Sequence, residues 1–179
     1  MASQRGFTLI ELKVTVTVAA ILISVAIPFF RDVIISSRLN TVSLEIADAL
    51  ALARSESIKR NRTITFCRTK NSESDTCSQD STATLWSHWL VTQNPSGKEK
   101  NVISRGSLST LVSSIEISVV GIINSQLSFH TDSLMRTGGS MTDAAQIIVC
   151  ATNFKNKAAR FIKVGAAGQI AIKTEDECK

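Results

Sequence analysis

The stretch RGFTLIELKVTVTVAAILISVAIPFF, residues 5–30, decides the fold. Residues 14–30 of it carry no charge. As a helix, residues 7–30 rise about 36 Å at about 1.5 Å per residue, against a hydrocarbon core about 30 Å thick. The segment is therefore long enough to span a bilayer with some tilt. Two charges stand near its start, Glu11 and Lys13. A charge at mid-bilayer costs on the order of 2.5–3.5 kcal/mol, and less near an end of the span. Lys13 can snorkel to the interface. Glu11 is an unpaired carboxylate that needs a cation. A secretory signal peptide fits poorly. Ala19, Ala20, Ser24 and Ala26 form no small-x-small cleavage site before Pro28, and the apolar run passes directly into a helical pattern.

Pro28 lacks an N–H and crowds the preceding turn, so it is expected to kink the helix or melt a turn. Beyond it, RLNTVSLEIADALALARSESIKRN (residues 38–61) is helical in pattern. Leu39, Val42, Ile46, Ala49, Leu50, Ala53 and Ile58 recur at spacings of three and four, a face expected to pack on a globular domain. Lys59, Arg60 and Arg62 sit where cations offset the helix dipole. After Asn61 the period changes to two. TITFCR, LWSHWLVT, SSIEISVV, QLSFHT, AQIIVCAT, ARFIKV and GQIAIK read as strands, with RTGGS and GAAG as punctuation between them. Residues 69–84 and 94–101 read as loops. The expected fold class is α+β: a long N-terminal helix, membrane-spanning in its first half, packed on an antiparallel β-sheet domain. The last three strands are expected to form a meander.

With 179 residues, 44% of them hydrophobic, the chain can bury a core. A net charge of +5 permits contact with nucleic acid or acidic lipid without requiring it. Four cysteines, Cys67, Cys77, Cys150 and Cys178, include no C-x-x-C, and His88 and His130 stand alone, so no metal site is expected. Four cysteines allow three pairings. Proximity in the chain favours Cys67–Cys77 and Cys150–Cys178, which implies an oxidising compartment. No nucleophile elbow, P-loop, dinucleotide fingerprint or H-E-x-x-H is present, so neither an enzyme nor a cofactor is expected.

The RGFTLIE stretch resembles the leader junction of type IV pilins and of the pseudopilins of type II secretion. The resemblance implies that residues 1–6 are a leader, cut by a prepilin peptidase between Gly6 and Phe7, and that the new amine of Phe7 is methylated. It implies that residues 7–30 span the inner membrane and later form filament core, that 31–61 are the amphipathic half of the helix, and that 62–179 are a globular β domain. It assigns Glu11 to assembly, paired with the N-terminal amine of a neighbouring subunit, and places Pro28 at the pilin kink. Lys13 departs from the apolar residue usual there. The stretch LALARSESIKRNRTITFC (residues 50–67) resembles the GspH/FimT branch through Leu52, Ala53, Arg54, Ser55, Glu56, Ile58 and Arg60. Cys67, Trp86, Trp89, Phe129, Gly138 and Cys150 follow the order of that branch, with His88-Trp89 in place of its Gly-Trp.

These resemblances imply a single-pass inner-membrane protein with a periplasmic head, later part of a pilus or pseudopilus. The implied partners are other pilin and minor pilin subunits, the prepilin peptidase and the inner membrane. Three roles stay open: a minor pilin supporting assembly and tip function, a DNA-binding minor pilin of natural transformation, and a GspH-like minor pseudopilin. The branch's DNA-binding members use Gly-Arg-x-Arg in the last hairpin. Here that place reads Gly168-Gln169-Ile170-Ala171, without either arginine. Contact with double-stranded DNA is largely electrostatic. It would fall to Lys155, Lys157, Arg160, Lys163 and Lys173, opposed by Glu175, Asp176 and Glu177.

Overall fold

The computed structural model describes residues 8–78, 86–93, 101–108, 115–141, 144–151, 159–175 and 178. The chain divides into two units, Met1–Ser37 and Arg38–Lys179, and one helix, α1 (Leu9–Arg60), contributes to both.

In the first unit the helix starts at Thr8. The Glu11 N–H donates to Thr8 Oγ1 at 3.3 Å, and Thr8-x-x-Glu11 has the spacing of a capping box. The TVTV run is β-branched yet helical. Thr15, Thr17 and Ser24 donate their hydroxyls back to the carbonyls of Leu12, Lys13 and Ile21 at 2.9, 2.7 and 2.7 Å. No hydroxyl of the three is thus left without an acceptor, which is what an apolar solvent demands. The large apolar side chains from Leu9 to Val25 are all half or more exposed. The helix passes unbroken through Pro28, so the proline melts no turn.

In the second unit the helix buries Leu39, Val42, Ser43, Ile46, Ala49, Leu50, Ala53 and Ser57. Ile58, expected on that stripe, is 54% exposed. Four residues beyond Ala53 the stripe falls on Ser57, and a fifth step turns the side chain about 100° further round the axis. Asn61 ends the helix with φ 49°. The Arg62 N–H donates to the Ser57 carbonyl at 3.2 Å and the Asn61 N–H to the Ile58 carbonyl at 3.3 Å, the bonding of a Schellman cap.

Among the described residues ten strands follow: β1 (Ile64–Arg68), β2 (His88–Thr92), β3 (Val102–Ser107), β4 (Ile115–Val120), β5 (Gln126–Phe129), β6 (Met135–Thr137), β7 (Ser140–Met141), β8 (Ala144–Ala151), β9 (Ala159–Gly165) and β10 (Ile170–Glu175). They form two antiparallel sheets, ordered β3-β2-β1-β5-β6-β7 and β10-β9-β8-β4. The expected meander is the β8-β9-β10 run of the second sheet. Three strands escaped the sequence reading. β3 carries polar residues and a glycine. β6 and β7 are short and flank Gly138-Gly139, which is a two-residue hairpin turn rather than a loop.

Strand parity separates two faces in each sheet. On the helix side of the first sheet Ile64 and Phe66 lie opposite Phe129 and Leu127, and Phe66 opposite Val91. On the helix side of the second, Ile117, Val149 and Arg160 form one cross-strand row, and Val119, Ile147, Ile162 and Ile172 another. Each outer face carries a small apolar cluster with a disulfide in it. Cys67–Cys77 packs with Leu90 and Val102. Cys150, bonded to Cys178, packs with Ile148, Ala159 and Phe161.

Candidate functional site

The assembly residues read from the sequence lie at the start of α1. Gly6 and Phe7 are outside the described residues. Glu11 is the third helical residue and exposed, near the end of the helix where exposed N–H groups favour an anion. Lys13 is exposed too. The capping relation between Thr8 and Glu11 was missed in the sequence reading, although the T-x-x-E spacing carries it.

In the head, the LARSE segment has a physical role that pattern alone did not reveal. Arg54 Nη1 donates to the Gly168 carbonyl at 3.0 Å, so the helix holds the turn between β9 and β10. That turn is closed by the Gly168 N–H to the Gly165 carbonyl at 2.8 Å and the Gly165 N–H to the Gln169 carbonyl at 3.0 Å. The Met135 N–H of the other sheet donates to Ala166 at 2.9 Å. Gly168 has φ +71°, and a Cβ on it would stand 2.7 Å from the Ser133 carbonyl oxygen and 2.9 Å from Arg54 Nε. The glycine of the hairpin is therefore required by the fold, whatever follows it. Glu56 pairs with Arg60 at 2.6 Å and Lys59 at 3.3 Å. Hydrogen bonds from Arg60 and then Lys59 hold its carboxyl below the usual range.

The tryptophans of the branch pattern are core residues. Phe66 stacks with Trp86 at a centroid distance of 5.6 Å and meets Trp89 at 6.0 Å. Trp89 Nε1 donates to Glu45 Oε1 of the helix at 3.0 Å. His130 Nδ1 lies 3.3 Å from Thr63 Oγ1, and burial, then Arg136, lowers its proton affinity while Asp132 opposes. Among the described residues no three metal-ligating side chains gather.

The cation set proposed for DNA does not hold together as read. Arg160 shares its parity with Ile162 and Val164 and is 6% exposed. Its Nε donates to Asn40 Oδ1 at 2.8 Å and its Nη1 to the Ala159 carbonyl at 3.1 Å. Arg160 therefore ties β9 to the helix and is not a surface cation. Burial lowers its proton affinity. Lys163 and Lys173 do share the outer face, opposite Ala171 and Phe161 respectively. Lys155, Lys157, Asp176 and Glu177 lie outside the described residues.

A family model described as "Type II transport protein GspH" matches residues 43–168. The chain belongs to the GspH family. A second model, "Prokaryotic N-terminal methylation motif", matches residues 1–27. The type IV major alpha-pilin of Moraxella bovis is 43% identical over 47 residues, which make up 26% of this chain and 30% of that pilin. The match thus spans under a third of the relative's length. Two crystal structures of the type IV minor pilin FimU from Pseudomonas aeruginosa share the fold. One has a TM-score of 0.56 at 17% identity, over 79% of this chain and 100% of the other. The second has 0.58 at 16%, over 80% and 97%. This GspH-family protein has a pilin-like fold, and that family and fold are structural and non-enzymatic.

Proposed function

We propose that this protein is a minor pilin, incorporated through α1 into a type IV pilus and supporting pilus assembly and tip function. One observation carries the reading: a helix that leaves every large apolar side chain from Leu9 to Val25 half or more exposed. Such a helix is stable only in lipid or among like helices. In this reading a prepilin peptidase removes residues 1–6 after Gly6 and the amine of Phe7 is methylated. Residues 7–30 then wait in the inner membrane, 31–61 form the amphipathic half of the helix, and 62–179 the head. Two disulfides support a periplasmic head. On assembly Glu11 accepts the Phe7 ammonium of a neighbour, which neutralises a carboxylate in apolar surroundings.

Glu11→Ala tests this. The variant is expected to be cleaved and to reach the membrane at the wild-type level. Its amount in sheared filaments is expected to fall at least about tenfold, because breaking a buried ion pair costs about 3–5 kcal/mol. Incorporation at the wild-type level would overturn the reading. A second reading, a GspH-like minor pseudopilin of type II secretion, is supported by the description of the matched family. Deletion of the gene separates the two: lost twitching supports the pilus, lost protein export the secretion system.

A further inference from the structure

Residues i and i+2 of an α-helix stand about 200° apart and do not face each other. Glu11 and Lys13 therefore leave opposite sides of α1, and they cannot neutralise one another. Both are exposed, and neither side chain has a partner within the chain among the described residues. No charge follows Lys13 until Arg31. One anion and one cation thus stand on opposite sides of an otherwise apolar helix end.

We propose that Lys13 is a subunit-contact residue. Its ammonium pairs with the carboxylate that a neighbouring helix of the same N-terminal motif carries at the position of Glu11. The geometry suits parallel helices at nearly equal height. Two residues correspond to about 3 Å of rise. Helical side chains lean toward the N-terminus, so Lys13 already leans toward the level of Glu11. Because the two charges use different sides, each helix can bind one neighbour through Glu11 and another through Lys13. Such a head-to-tail contact builds an open array, whereas a closed two-fold pair needs a self-complementary face. A carboxylate has two oxygens and can accept both this ammonium and the terminal amine assigned to it above. The proposal rests on that assembly reading but is tested separately from it.

Two measurements on the full chain in its native cell decide it. First, photoreactive benzoylphenylalanine is placed at position 17, one turn from Lys13 on the same side of the helix, and irradiated in membranes. An adduct with the N-terminal peptide of another subunit supports the contact, even if filaments prove to lack the protein and the minor-pilin reading fails. Adducts with lipid alone overturn it. Second, the ratio of filament to membrane protein is compared among Lys13→Arg, Lys13→Met and Lys13→Glu. Near-wild-type behaviour for the arginine, a severalfold loss for the methionine and a larger loss for the glutamate are expected. A wild-type ratio for Lys13→Met overturns the proposal. A defect in helix insertion would instead lower the membrane level and leave the ratio unchanged.

Discussion

Reduction of both disulfides by a dithiol is expected to lower the stability of the head by about half or more of an ordinary domain's total. The two bonds close loops with sequence separations of 10 and 28. On the chain-entropy account they stabilise the fold by about 3 and about 3.5 kcal/mol. Their sum is comparable with the whole stability of an ordinary domain, about 5–15 kcal/mol. Thermal unfolding of the detergent-solubilised chain should show Tm falling by at least about 15 °C on reduction. The paired variant Cys150→Ser/Cys178→Ser should lose more than Cys67→Ser/Cys77→Ser, because its loop is longer. Position adds a second readout. The Cys150–Cys178 bond lies against Ile148, Ala159 and Phe161, and the other against Leu90 and Val102. Amide exchange in the first variant should therefore rise first in β8 and β9, and in the second in β1 and β2. A Tm shift below about 3 °C on full reduction would show that the packed core alone holds the head.

Gly106→Val is the most damaging single change expected in the head. Gly106 lies directly across from Trp89 in the β2–β3 ladder. A Cβ at that position would clash with Cε2, Cζ2 and Nε1 of the Trp89 indole. Valine therefore displaces the ring, which is 6% exposed and contacts Phe66. It also separates Nε1 from the Glu45 carboxylate on the helix. Overpacking costs about 1–3 kcal/mol. A lost hydrogen bond to a charged group adds about 1.5–3 kcal/mol. The combined loss of about 2.5–6 kcal/mol should appear as a lower denaturant midpoint and as altered tryptophan fluorescence. Gly106→Val combined with Trp89→Leu should recover part of the loss, since the smaller side chain removes the clash. Failure of the pair to recover anything would mean that Gly106 serves β3 backbone geometry and not the ring.

Local pattern made much of this legible. The uncharged run over residues 14–30 reads as a lipid-suited helix, and its large apolar side chains from Val14 to Val25 are exposed. Six of the seven residues read as the buried stripe are buried. The seven runs read as strands correspond to β1, β2, β4, β5, β8, β9 and β10, and the cysteines nearest in the chain are the ones bonded. The misreadings share a cause. Ile58 was assigned by being apolar, but the angle around the helix decides, and Ser57 holds the buried place. Arg160 was assigned by its charge, but its parity with Ile162 and Val164 turns it inward to Asn40. Gly138-Gly139 looked like a break and is a hairpin turn between strands too short to show alternation.

Chain order and residue type thus settled the helix and seven of the ten described strands, that one segment suits lipid, and which loops the disulfides close. The helix, the strands and the lipid-suited segment follow from residues a few positions apart or from solvent preference, and the disulfides join the cysteines nearest in the chain, 10 and 28 residues apart. The division into two sheets, the placing of β1 between β2 and β5, and the grip of Arg54 on the Gly168 turn arose only on folding. Arg54 and Gly168 are 114 residues apart, and Asn40 and Arg160 are 120. Contacts at such separation depend on the register of every strand between, because a one-residue slip turns each side chain to the opposite face.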